Sequence, residues 1–109
     1  MKQAKPSTSY GQIVGQVVRC HRILLGISLA KMSKNLELSS SGLSRIETGN
    51  TTMSIIQLRE IAKRLNMSSA DILYQADELV TQLEGNGIAI YDSKPKGNNY
   101  AFGKLKYTR

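Results

Sequence analysis

Residues 10–25, YGQIVGQVVRCHRILL, place apolar side chains at Ile13, Val17, Cys20 and Leu24, with Val14, Val18 and Leu25 alongside. Recurrence at three and four positions is the period of one helix face, and Gly26 is the kind of residue that ends such a helix. Ser28 is the N-cap candidate of a second, short helix through Leu36, with Leu29, Met32 and Leu36 on its inner side. A third helix starts after Ser39 and runs to about Thr48, where Gly49 ends it; within it only Leu43 and Ile46 are apolar. Ser54 caps a fourth, with an apolar stripe of Ile55, Leu58, Ile61, Ala62 and Leu65 that breaks at Asn66 and Met67. Ser68 opens a fifth, with Asp71 in the first turn, where the helix dipole favours a carboxylate. Its apolar positions are Ile72, Leu73, Ala76, Leu79, Val80 and Leu83, and the GNG at 85–87 ends it. Five helices of no more than about four turns, joined by brief links, predict an all-α fold.

After Gly87 the pattern changes. IAIY reads as a short strand, DSKPKGNN as a loop and YAFGKLKY as a second strand with Lys104 and Lys106 on one face, together a short β-hairpin. Four of the six aromatic residues, Tyr91, Tyr100, Phe102 and Tyr107, lie in this stretch. Segments that stay unfolded are poor in aromatics, so this one is expected to dock on its own domain, a second subunit or a ligand. The chain thus divides into an N-terminal arm (1–9), a helical domain (10–84) and a basic, aromatic extension (85–109).

Composition narrows the function. The 109 residues suffice for one domain with tails. A single cysteine, Cys20, rules out an internal disulfide and a cysteine-based zinc cluster, and a single histidine, His21, argues against any metal site. No cofactor is expected. Cys20 and His21 are sequence neighbours, about 100° apart on a helix, and so do not form a dyad. Cys20 is expected as a buried structural thiol on the apolar stripe. No carboxylate pair, phosphate-cradling glycine loop or metal motif appears, so an enzyme is not expected. The two early lysines are followed by no apolar run, unlike a signal peptide. Nothing approaches the roughly 18 apolar residues of a membrane span. A cytoplasmic protein is expected.

The net charge is +7. Lys2 and Lys5, with Lys94, Lys96, Lys104, Lys106 and Arg109, account for all of it, leaving residues 10–93 neutral. That neutral part is polarised: residues 10–58 carry +3, and residues 59–92, with six acids, carry −3. A cationic first half with basic tails suits a polyanion.

The stretch SSSGLSRIETGN at 39–50 is a poor packing element, with hydroxyls and one guanidinium around two apolar residues. RILLGIS, then LSRIETGN, then SIIQLREIAKRLNMSSADIL resembles the Cro/phage-repressor type of helix-turn-helix family, also called the xenobiotic-response-element family. The resemblance covers residues 12 to 73. It rests on the ordered set Arg22, Gly26, Ser28, Leu43, Ile46, Glu47, Gly49, Leu58, Ala62 and Leu65. It implies a five-helix, lambda-repressor-like DNA-binding domain, with 39–48 as the recognition helix. It also implies a partly buried ion pair between Arg22 and Glu47, and a carboxylate at a helix C-terminus needs such a cation. Three positions depart from the family: Leu29 where glutamine is common, Glu37 where glycine is common, and Met53 where proline is frequent.

On this reading the DNA contacts are Ser39, Ser40, Ser41, Ser44, Arg45, Asn50, Thr51 and Thr52. Ser39 acts mostly as a cap. The other serines reach bases or phosphates with little discrimination, and Arg45 alone has the fork for guanine. Asn50, Thr51 and Thr52 are phosphate candidates, and Arg19 and Lys31 are secondary ones. Gly42 reads as close approach or as simple tolerance. One short recognition helix reads little sequence alone, so a dimer on a pseudo-palindrome is expected, with Leu73, Ala76, Val80 and Leu83 at its surface. A transcriptional repressor is the leading expectation. The alternative is the antitoxin of a toxin–antitoxin pair, binding its operator through the same domain and a protein partner through residues 88–109.

Overall fold

In the computed structural model, residues 6–92 are described. The elements in order are β1 (Ser7–Ser9), α1 (Tyr10–Leu24), α2 (Leu29–Ser33), α3 (Ser40–Glu47), α4 (Ile55–Arg64), α5 (Ser69–Gly85) and β2 (Ala89–Tyr91). Each helix begins the same way. Ser9, Ser28, Ser39, Ser54 and Ser68 occupy the N-caps, each accepting the backbone N–H three residues on. At Ser9, Ser54 and Ser68 the side chains of Gln12, Gln57 and Asp71 return the bond to the cap N–H. That bond from the Ser68 N–H, together with the Ser68 side chain, holds the Asp71 carboxyl below its ordinary range.

Four of the helix ends also share one geometry. Ile27, Asn50, Met67 and Ile88 each donate N–H to the carbonyl five residues back, and the residue before each donates to the carbonyl three back. The left-handed residue this motif needs is Gly26, Gly49, Asn66 or Gly87. The break in the α4 pattern at Asn66 is therefore its stop signal. α2 is the exception and is shorter than expected. It ends at Ser33, and Asn35 (φ 70°) and Glu37 (φ 58°) turn the chain sharply while Leu36 stays buried.

The core takes one fully buried large side chain from each helix: Val18, Met32, Leu43, Ile61 and Ile72. On α1 the buried line runs Val14, Val18, Arg22, flanked by Ile13 and Val17. Cys20 is exposed, not buried, and Leu24 is 78% exposed. The helix is turned so that Arg22 faces inward to a carboxylate, and the Cys20–Leu24 edge rotates out. Ile55 also leaves the expected stripe of α4: at 82% exposure it stands at the first turn, beyond the packed positions Leu58, Ile61 and Ala62. α5, at 17 residues, is nearly five turns and runs from the expected cap at Ser68 to the expected stop at 85–87. Tyr10 Oη donates to Asp77 across the α1–α5 junction at 2.7 Å, and burial followed by that bond pushes its pKa up to about 12.

The strand expected at IAIY is β2. It pairs in parallel with β1, in the register Ser7 to Ala89, Thr8 to Ile90 and Ser9 to Tyr91. Part of the expected N-terminal arm is thus a strand, paired with the start of the expected extension. The expected second strand, YAFGKLKY, lies outside the described residues, as do Lys2 and Lys5 of the arm.

Gly15 is where α1 and α3 touch. A Cβ there would fall on the carbonyl oxygens of Ile46 and Glu47. Gly15→Ala is expected to force the helices apart and cost about 1–3 kcal/mol or more. Gly11→Ala, whose Cβ would meet only Ser9 Oγ at 3.9 Å, should be close to neutral. Thermal denaturation of the two variants checks this, and equal melting temperatures would contradict it.

Candidate nucleic-acid interface

α3 is short and its two sides are sharply different. Leu43, Ile46 and Glu47 are buried. Ser41 and Arg45 are exposed, and Ser40 and Ser44 are half-buried. Ser39 Oγ accepts the Gly42 N–H at 2.9 Å and lies 3.3 Å from Ser41 Oγ, so its hydroxyl is engaged inside the helix start. A Cβ on Gly42 would stand 3.2 Å from Ser39 Oγ and 3.4 Å from Leu38. The tightness at Gly42 therefore arises within the domain, from the cap itself. Arg45 carries the one guanidinium on the outer side of α3 and makes no ion pair among the described residues.

The loop after α3 is bound to its end. Asn50 and Thr51 both donate N–H to the Arg45 carbonyl, at 2.9 and 3.2 Å. Thr48 Oγ1 donates to the Ser44 and Arg45 carbonyls, and Asn50 Nδ2 donates to Thr48 Oγ1 at 3.2 Å. Asn50, Thr51 and Thr52 are all exposed, so the loop presents amide and hydroxyl groups directly beside Arg45. Arg19 joins Ser44, Thr48 and Leu29 in lining one groove of about 730 Å³. Lys31 lines a different concavity, with Lys34 and Arg64.

Behind α3 lies the fork that orients it. Arg22 Nε donates to Glu47 Oε2 at 2.7 Å and Nη2 to Oε1 at 3.0 Å, while Nη1 donates to the Ile27 carbonyl at 2.7 Å. The side chains retain only 10% and 3% of their exposure. The bonds to Glu47 hold the guanidinium above its ordinary pKa against the opposing effect of burial. One side chain of α1 thereby grips the end of α3 and the entry to α2.

The expected dimer surface on α5 requires one correction. Ala76 is completely buried inside the domain and has nothing to offer a second subunit. Leu73, Val80 and Leu83 are half-buried against the same core, with part of each still outward. Sequence reasoning missed Gly15 and Ser9. The signals were a glycine in mid-helix, and a serine three residues before Gln12.

Two helices joined by a tight turn, the second polar on its outer side and held by a buried fork, define a helix-turn-helix domain. Residues 21–72 match the family model described as helix-turn-helix, in agreement with the resemblance to the Cro/phage-repressor type. Among solved structures the chain is similar to the clp gene regulator ClgR from Corynebacterium glutamicum. The identity is 23%, covering 74% of this chain and 86% of that one, with a TM-score of 0.69. A second structure of that regulator aligns at 26% identity over 64% of this chain and 91% of its own, with a TM-score of 0.61. No match is found among the curated proteins. No helix among the described residues is long and apolar enough to cross a membrane.

Glu47→Ala leaves the Arg22 charge buried and unpaired, and is expected to cost about 3–5 kcal/mol, a large share of the ~5–15 kcal/mol of an ordinary domain. Glu37→Gly should instead raise stability by about 0.5–1 kcal/mol, because a left-handed backbone strains a residue with a Cβ. Urea midpoints of the two variants, moving in opposite directions from the parent, check both.

Proposed function

We propose that this chain binds double-stranded DNA sequence-specifically, as a two-fold dimer on a pseudo-palindromic operator, and represses transcription. The observation that carries the reading is the outer side of α3. There Ser40, Ser41, Ser44 and Arg45 stand over a buried Leu43, Ile46 and Glu47, with Asn50, Thr51 and Thr52 tied alongside. Short side chains let the helix backbone approach the floor of the major groove. Arg45 has the donor geometry for guanine O6 and N7, and the serines add contacts that discriminate weakly. The loop residues are positioned to donate to phosphates, which fixes register without reading sequence. Similarity to a gene regulator supports the regulatory role.

The DNA-binding unit is residues 10–84, and its dimer surface is the outer part of Leu73, Val80 and Leu83. A single α3 reads too few base pairs for a useful site, so two copies would be placed about one helical turn apart on the duplex. Light scattering is expected to give the mass of two chains.

Arg45→Ala is expected to keep the helical circular dichroism of the parent and to lose about 1–3 kcal/mol of preference at one base pair per half-site. The measurement is binding to duplexes substituted at each position of a selected site. Unchanged discrimination at every position would remove Arg45 from the reading surface.

A further inference from the structure

The ends of α2 and α4 meet around a concavity of about 320 Å³. It is lined by Ile27, Lys31, Met32, Lys34, Asn35 and Arg64. Three of these six are cations and none is an acid. The ion pairs among the described residues are Arg22–Glu47 and Lys63–Glu60, and neither involves Lys31, Lys34 or Arg64. Arg64 Nη2 donates to the Asn35 carbonyl at 3.4 Å, which lays the guanidinium over the end of α2. Its Nε is shielded from solvent and has no acceptor.

Cations near the end of α2 suit its dipole, which accounts for Lys31 and Lys34. It does not account for a third, permanently charged cation brought from α4 to the same concavity, with no acid among the lining residues. We propose that Lys31, Lys34 and Arg64 form a phosphate-binding site. A tetrahedral oxyanion supplies the negative charge that this cationic concavity lacks. The guanidinium edge can engage two of its oxygens, and the two ammonium groups add point charge. The side chains of Ile27 and Met32 form an apolar wall, which lowers the local dielectric and strengthens these contacts.

The phosphate has two possible sources: the backbone of a bound duplex, outside the groove read by α3, or a free phosphate-bearing molecule. The first rests on the DNA-binding reading above, and the second does not. Full-length parent, Lys34→Ala and Arg64→Gln proteins separate the cases. Lys34 is exposed, so its variant should fold whatever happens to Arg64. For a DNA phosphate, each variant should bind a duplex selected by the parent and a random duplex with equally reduced affinity. Its slope of log K against log salt should then flatten by about 0.9, the change for one phosphate left unneutralised. For a free phosphate, sodium phosphate should raise the parent's melting temperature over sodium chloride of equal ionic strength. The variants should lose that rise while their DNA slope stays as in the parent. If both variants keep the parent's salt slope and the parent's response to phosphate, the site does not exist. A parent that selects no duplex would defeat the DNA reading, and the melting comparison would still decide the site.

Discussion

The bidentate contact between Arg22 and Glu47 is the constraint on which the other features depend. Glu47 ends α3, where the helix dipole already concentrates negative charge, and only 3% of its side chain remains exposed. Such a carboxylate is tolerable only with a cation locked on both oxygens. Arg22 provides it and, through Nη1 and the Ile27 carbonyl, also fixes the chain entering α2. The rotation of α1 follows. With Arg22 inward, the line Val14–Val18–Arg22 faces the core, and the edge carrying Cys20 and Leu24 turns to the outside.

The same contact governs how thin α3 can be. A helix with only two apolar residues buries too little surface to place itself by hydrophobic burial alone. Its inner side is instead completed by Glu47, clamped from behind, and by the absence of a side chain at Gly15, which lets the two helices meet at backbone distance. The outer side is then released from any packing duty. It can carry hydroxyls and a guanidinium, and the loop bonded to the Arg45 carbonyl adds further polar groups without disturbing the core.

How much of this was legible in the sequence depended on how local the cause was. Caps are local: Ser28, Ser39, Ser54 and Ser68 could be recognised from their own neighbours, and so could the stops at Gly26, Gly49 and Gly87. Helix rotation is not local. Cys20 and Leu24 satisfy the apolar period as well as Val14 and Val18 do, and only the position of Glu47 across the core decides between them. Ile55 fits its stripe in the same way, but it lies in a first turn with nothing packed above it. Ala76 matched the period of a surface stripe and proved to be the point where α5 meets the core. Glu37 was visible as a departure from the family pattern, while its left-handed backbone was not. The outer residues of α3 were legible because they are the ones left over once Leu43 and Ile46 are assigned inward. The partner of β2 was out of reach, since Ser7–Ser9 has no strand signal of its own.

That strand pair has a kinetic meaning. β1 and β2 join positions roughly eighty residues apart, with the whole helical body between them. Closing so large a loop is entropically expensive before neighbouring contacts offset it, and three residue pairs offset little. The helices, built from near neighbours, can assemble first, with the strand clasp shutting last over a formed body. In the native state the order reverses. The clasp is the piece with the least holding it, and its amides should exchange with solvent through openings that leave α3 and its fork undisturbed. The β1–β2 pair can therefore loosen and re-form without unsettling the surface proposed to meet DNA.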